Sequence, residues 1–311
     1  MRVAVLYGGT SAEADVSRKS GRAISAGLRK MGHSVEELDW TEKKALENID
    51  VLRGFDVVFI GYHGGAGEDG RIQAAFEIAG IPFTGSGSLA SALGMNKILT
   101  KYVFEMKEIP TAPWCTATRG EKIDEIAERI SNSGFSIPVV VKPAQQGSTV
   151  GVTIVWSIEQ LACGLEAAFR FGDNALIEKY IPGREVTVAI LDDEPLPVVE
   201  IVPEGGFYDY EHKYTSGKSE YICPAEIDKE TRVGLQDAAM SAYRSLGCRH
   251  YARVDFRLSE KGEMFCLEVN TLPGMTDLSL VPMAAREVGI DFPELVHRIA
   301  IMGASSKQED K

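Results

Sequence analysis

The chain predicts an α/β protein that turns α+β in its C-terminal half, and three observations lead there. Two short apolar runs near the N-terminus, 2–7 (RVAVLY) and 56–60 (DVVFI), each end in a glycine-rich loop followed by a helix-period stretch. Such alternation of strand and helix specifies a parallel sheet covered on both faces. From residue 184 onward the strand-like runs follow one another across short polar turns, REVTVAIL then PLPVVEIV, and YARVDFRL then EMFCLEVN. That pattern specifies antiparallel pairing. Finally, no window approaches the roughly 18 consecutive apolar residues of a membrane span, so a membrane protein is not expected.

Taken in order, strand 2–7 stops at Gly8-Gly9, helix 15–31 follows, and strand 34–39 precedes strand 56–60 and helix 71–79. In open parallel sheets, ligands sit beyond the carboxyl ends of the strands, where these glycine loops fall. After residue 95 the texture changes. Helix 96–107 ends before Ile109-Pro110, TAPWCTAT reads as a loop and short strand, and helix 121–132 leads to strand 137–142. A Gly/Ser loop, strand 151–155, helix 157–169 and strand 174–179 complete the middle. The antiparallel runs then bracket a polar aromatic stretch, FYDYEHKYTSGKSEY (207–221), and a long helix, 228–246. Helices 280–289 and 291–303 close the chain, which divides into parts 1–95, 96–180 and 181–311.

Composition narrows the chemistry. Among 311 residues, 44% hydrophobic and 25% charged are ordinary globular values, which exclude a disordered or fibrous chain. A formal charge of −12 argues against a general nucleic-acid binder, which needs a cationic face to displace counterions. It leaves room for a local cationic pocket inside an acidic shell. MRVAVLYGG is too short an apolar run for a secretory signal and reads as a buried first strand. Five scattered cysteines without a CxxC pair fit reduced thiols in a cytoplasmic protein, and the histidines lack zinc-site spacing.

Glycine loops carry unequal weight. Gly65-Ala66-Gly67-Glu68-Asp69-Gly70 matches GxGxxG, yet Glu68 and Asp69 at the helix start would repel a pyrophosphate, so a structural or substrate-side turn is expected. No GxxxxGK[ST] P-loop is present. In VVVKPAQQGSTVGV (139–152), Lys142 ends a strand and Gly147, Ser148, Thr149 and Gly151 form a small-residue loop. Such a loop lets backbone amides approach phosphate oxygens, and a lysine neutralises them. A plain hairpin with a surface lysine reads equally well on these residues alone. Farther on, ARVDF (252–256) and CLEVNTLPGMT (266–276) place Arg253 with Asp255, and Glu268 with Asn270, on shared strand faces. If the two strands pair, Asp255, Glu268 and Asn270 converge as hard oxygen ligands suited to Mg²⁺ or Mn²⁺. Solvated polar residues are the alternative; their place at a sheet end beside a Pro-Gly turn favours ligands.

At this point the residues carry a family resemblance. Lys142 in KPAQQGSTVG, the strand LIEKY (176–180) and the Asp-Glu-Asn set resemble an ATP-grasp ligase. GGTSAEADVS (8–17), HGGAGEDG (63–70), GSGSLASALGMNK (85–97), FYDYEHKY (207–214) and NTLPGMTDLSLVPMAA (270–285) together resemble the D-alanine–D-alanine ligase family over essentially the whole chain. The implied architecture is an N-terminal parallel α/β substrate domain (1–95) followed by a two-domain ATP-grasp fold, with a central domain (96–180) and a C-terminal domain (181–311) carrying lid loop and metal site.

The resemblance implies ATP-dependent joining of two D-alanines through an acyl phosphate, for peptidoglycan precursor synthesis in the cytoplasm, by a homodimer that engages neither nucleic acid nor membrane. Lys97 and Lys142 would contact the phosphates, Glu178, Lys179 and Ile181 the adenine, and Glu185 the ribose. Asp255, Glu268 and Asn270 would hold two Mg²⁺ or Mn²⁺ ions, with Glu268 bridging. Arg253 and the Gly274 N–H match oxyanion-stabilising positions, and Ser279 and Leu280 positions that grip the second carboxylate. Glu13 matches the anchor of the first ammonium, His63 a neighbour of its carboxylate, and Lys213 a contact to the transferred phosphate. Ser148 and Tyr214, with Glu13, match a network that closes a lid and excludes water. Relatives that make a D-lactate ester lack the FYDYEHKY pattern, so the peptide product is favoured; the alternative is another ATP-grasp carboxylate–amine or carboxylate–hydroxyl ligase with a different second substrate, such as D-lactate or D-serine. Two departures stand out: Ala144-Gln145-Gln146 where relatives are more charged, and Leu272 where some carry a small polar residue. A non-catalytic nucleotide binder would be expected to have lost metal ligands or Arg253, and both are present.

Overall fold

Five consecutive residues with almost no exposure, Val3 to Tyr7, require a strand covered on both faces, and β1 (Arg2–Gly8) is that strand. The computed structural model describes residues 1–203 and 219–305. β1 runs between β2 (Ser34–Trp40) and β3 (Val57–Ile60) in a three-stranded parallel sheet. Helix α1 (Ala14–Lys30) lays Ser20, Gly21, Ile24 and Leu28 on this sheet. It sits so close that a Cβ on Gly21 would lie 2.1 Å from the Tyr7 ring. Two short helices that hydrophobic patterning did not reveal, α2 (Glu42–Glu47) and α3 (Ile49–Leu52), connect β2 to β3. Helix α4 (Arg71–Ala79) matches the expected span and is bounded by Gly70 and Gly80, both left-handed. A further short helix, α5 (Ser88–Met95), leads out of this layer.

Helix α6 (Lys97–Met106) starts where the Asn96 side chain accepts the Leu99 N–H. The middle of the chain forms an antiparallel sheet, order β4-β7-β5-β6, from β4 (Trp114–Thr118), β5 (Val139–Pro143), β6 (Thr153–Val155) and β7 (Asn174–Lys179). Helices α7 (Ile123–Asn132) and α8 (Leu161–Phe169) bury Ile126, Ile130, Leu161 and Leu165 against Val139 and Val141. β6 is shorter than its expected 151–155 because the chain first passes through positive φ at Ser148, Thr149 and Gly151.

The second antiparallel sheet has the order β11-β10-β8-β12-β13, with β9 beside β8. Its strands are β8 (Arg184–Leu191), β9 (Glu194–Pro195), β10 (Val199–Pro203), β11 (Ser219–Ile222), β12 (Tyr251–Leu258) and β13 (Met264–Asn270). Helix α9 (Lys229–Ser245), capped by Asp228, packs Leu235, Ala239 and Tyr243 on Val186, Val188, Val254 and Phe256. One face of this sheet is thus apolar and covered, while residues of opposite parity face the other way.

Helix α10 (Leu280–Glu287) precedes α11 (Phe292–Ser305), which returns to the first sheet: Leu295, Val296 and Ile299 share a core with Val3, Leu28 and Val57. Both ends of the chain therefore build the layer around β1. Phe104 of α6 joins the core beneath the C-terminal sheet, so α6 packs across from the middle of the chain.

Candidate active site between the two antiparallel sheets

Strand register builds the site. β12 and β13 pair with Asp255 directly opposite Glu268 and Arg253 opposite Asn270. All four side chains share one face, and Thr187 of β8, opposite Asp255 on the other side, shares it too. The register then slips: Phe256 faces Cys266, leaving Leu267 as an extra residue. Such a bulge re-aims side chains, and both Leu267 and Glu268 line the cleft. The cleft holds about 980 Å³ counted to its open mouth. Lys97, Lys142, Gly147, Ser148, Glu178, Lys179, Ile181, Glu185, Asp255 and Glu268 are on its walls.

Asp255, 6% exposed, is held from three directions. Arg253 donates to it twice, both at 2.8 Å, Asn270 Nδ2 at 2.8 Å and Thr187 Oγ1 at 2.6 Å. Lys97 Nζ lies 2.5 Å from Glu268 Oε2. On the opposite wall, Val140 pairs with Glu178 and Lys142 with Leu176, so Lys142 and Glu178 are diagonal neighbours and form an ion pair. Lys101, buried behind the wall, also pairs with Glu178. Burial pushes the Glu178 carboxyl up, but Lys101 and Lys142 outweigh it and hold it down to about 2. Burial lowers Lys101, and Glu178 opposes this only in part; for Lys142, Glu178 and the nearby Glu268 and Glu185 overcome burial and raise it. Glu185 lies 3.5 Å from Arg257, whose Nε donates to the Ile181 carbonyl at 3.2 Å.

A second group of residues gathers at the carboxyl ends of β1 and β3. The Ser11 hydroxyl donates to the His63 carbonyl at 2.5 Å and accepts the Glu13 N–H at 3.1 Å. His63 is buried, with Nε2 2.9 Å from Ser20 Oγ and Nδ1 3.4 Å from Glu68 Oε1. Gly64 has φ +70, and a Cβ there would lie 2.6 Å from Glu13 Oε2, so only glycine lets the HGG loop approach this carboxylate. From the middle sheet, Ser148 Oγ donates to Glu13 Oε1. That bond joins the phosphate-type loop to the first layer. The GAGEDG run forms a single tight turn, Gly65–Gly67, before α4, in keeping with a structural or substrate-side role.

Ser279 precedes α10, and its hydroxyl accepts the Thr276 N–H at 3.0 Å. Gly274 lies against it, since a Cβ would sit 3.2 Å from Ser279 Oγ, and Leu280 is buried. Lys213 and Tyr214 lie outside the described residues. The cysteines are free, with Cys115, Cys248 and Cys266 buried.

Sequence reading singled out neither Thr187 nor Lys101. Thr187 was legible only as a hydroxyl at a buried strand position, and Lys101 as the residue one helical turn after Lys97. Counting the described residues that line the cleft, Lys97, Lys142, Lys179 and Arg257 balance Glu178, Glu185, Asp255 and Glu268. Of the cations expected to form a pocket, Lys97, Lys142 and Arg253 are each in an ion pair, and Lys213 lies outside the described residues. A polyphosphate entering the cleft needs additional positive charge. Two carboxylates and a carboxamide on one strand face suit hard divalent cations, so the donor set fits Mg²⁺ or Mn²⁺.

Two antiparallel sheets that close on a cleft walled by lysines and carboxylates, beside an N-terminal parallel layer, define an ATP-grasp ligase architecture. Residues 35–86 match the family profile described as D-ala D-ala ligase N-terminus, and residues 103–301 that described as D-ala D-ala ligase C-terminus. The chain is 49% identical to a D-alanine–D-alanine ligase of Geobacter sulfurreducens, covering 96% of this chain and 93% of that one. Against the ligase of the same name from Syntrophotalea carbinolica it is 45% identical, covering 99% and 97%. The crystal structure of a Bacillus anthracis D-alanine–D-alanine ligase complexed with ATP superposes with a TM-score of 0.86 at 32% identity, covering both chains completely. The chain belongs to the D-alanine–D-alanine ligase family.

Proposed function

We propose that this protein joins two D-alanine molecules into D-alanyl-D-alanine at the expense of ATP, forming ADP and phosphate. The observation that carries the reading is the meeting of Glu13 with Ser148: the loop after Lys142 reaches the residue expected to anchor the first substrate's ammonium. That contact supports nucleotide and amino-acid sites that adjoin one another. Lys97 and Lys142, which line the cleft, would receive the phosphates, the Glu178–Ile181 stretch the adenine, and Glu185 the ribose. Asp255, Glu268 and Asn270 would hold divalent metal ions, which when bound neutralise phosphate oxygens during transfer.

The chemistry follows from these groups. A carboxylate is a poor acyl electrophile, so the γ-phosphoryl first passes to the carboxylate of the first D-alanine. Glu13 orients its ammonium, with His63 beside its carboxylate. The neutral amine of the second D-alanine attacks the acyl phosphate, and negative charge develops on the carbonyl oxygen before phosphate leaves. Arg253, held in a fixed orientation by Asp255, and the Gly274 N–H are suited to stabilise that charge. Ser279 and Leu280 at the start of α10 are suited to hold the second carboxylate. Lys213 and Tyr214 are assigned to the transferred phosphate and the lid on sequence alone.

Reliance on ATP supports a cytoplasmic site of action, and no helix among the described residues is long and apolar enough to cross a membrane. For the proposed homodimer, support comes from Ile78 and Leu89, 90% and 71% exposed on the adjoining helices α4 and α5. The test is ADP release on addition of D-alanine with ATP and Mg²⁺, with the product identified by mass, against D-lactate, D-serine and L-alanine as acceptors. ATP binding without D-alanine-dependent ADP release would refute the assignment.

A further inference from the structure

Lys101 is a charged residue with no solvent exposure, and it is not on the cleft wall. It lies one turn after Lys97 on α6, so both side chains project from the same helix face. Lys97 reaches Glu268 of β13, and Lys101 reaches Glu178 of β7. The Lys101 ammonium also contacts the Thr111 hydroxyl and lies 3.4 Å from the Cys266 carbonyl of β13. Glu178, 2% exposed, is therefore bracketed by Lys142 from the cleft and Lys101 from behind it.

Accepting the cleft as the ATP site, we propose that Lys101 is a positioning residue that keeps Glu178 compensated, so that the Lys142 charge is available to the nucleotide's phosphates. Lys142 and Glu178 alone would sum to zero. To engage a phosphate, Lys142 would then have to leave a carboxylate unpaired in the interior, which is strongly unfavourable. With Lys101 in place the trio carries one net positive charge, and Lys142 can turn toward a phosphate while Glu178 keeps a partner. Glu178 remains ionised in this arrangement, its carboxyl held down by the two ammonium groups.

The test is ATP binding with Mg²⁺ by isothermal titration, together with KM for ATP and kcat, in wild type, K101M, E178Q and K101M/E178Q. The expected result is at least tenfold weaker ATP binding in K101M, with KM for ATP rising more than kcat falls. The double variant should bind ATP at least threefold more tightly than K101M, because Lys142 again carries an uncancelled charge. Wild-type affinity in K101M would overturn the proposal, as would a double variant that binds no better than K101M. Should K101M not fold, the double variant is read against E178Q, which carries the same change at the expected adenine contact: ATP affinity within threefold of E178Q supports the proposal, and binding at least tenfold weaker than E178Q overturns it. Failure of the wild-type protein to bind ATP would instead refute the reading of the cleft.

Discussion

Replacing Ser148 by Ala removes the donor that ties the loop after Lys142 to Glu13, 135 positions away in the chain. Ser148 is half-buried and lies at φ +53, a conformation that alanine tolerates no worse than serine, so the backbone has no new reason to change. The acceptor is a carboxylate, and a hydrogen bond to a charged group contributes about 1.5–3 kcal/mol. If that contribution is realised in the closed complex, kcat/KM for the first D-alanine falls about 10- to 150-fold. The assay is D-alanine-dependent ADP release, with a thermal melt in parallel, in S148A, E13A and the double variant. The melt of S148A should stay near wild type. The two substitutions should be markedly non-additive, with a coupling energy above about 1 kcal/mol. Additive effects, or a loss of activity that tracks a loss of thermal stability, would refute the argument that this contact joins the two sites.

Glu268→Gln keeps the size of the side chain but removes the carboxylate opposite Asp255; turnover should fall by about 100-fold or more, as for other single electrostatic groups at a reacting centre, with far-UV circular dichroism unchanged. Chelating divalent cations should abolish ADP release reversibly, and Mg²⁺ or Mn²⁺ should restore it; activity that persists in chelator would remove the metal assignment. Gly21→Ala forces a methyl to within 2.1 Å of the Tyr7 ring and should destabilise the protein by about 1–3 kcal/mol, read from the urea midpoint. The folded Glu178 carboxyl is depressed from 4.5 to about 2, so its contribution to stability is present above pH 4.5 and is lost as pH falls toward 2. That shift corresponds to about 3 kcal/mol. A pH series of urea midpoints should show this acid limb in wild type and a shallower one in E178Q.

Much of the fold was legible because its elements are locally determined. Gly70 and Gly80 bound α4 at the span expected from the sequence, and Asn96 and Asp228 cap α6 and α9 within a residue of their expected starts. The short helices α2 and α3 were not legible, since each is too brief to display an apolar repeat. Nor was the destination of α11: its apolar stripe shows that it is covered on one side, but not that the cover is the first sheet.

The sequence by itself determined the donor types, their strand spacing and the family motifs. Arg253 with Asp255, and Glu268 with Asn270, must share faces because side chains alternate along a strand. Tertiary structure alone decided the register that sets Asp255 opposite Glu268, the bulge at Leu267, and the meeting of Ser148 with Glu13. It also decided the charge state of the cleft. Lys97, Lys142, Lys213 and Arg253 suggested a cationic pocket, yet the three among the described residues are each paired with an acid, Lys97 with Glu268 of β13, Lys142 with Glu178 of β7 and Arg253 with Asp255 of its own strand. The physical reason is that backbone geometry acts over a few residues and is written locally. Charge compensation depends instead on distance and burial between groups far apart in the chain, and these exist only once the sheets have packed.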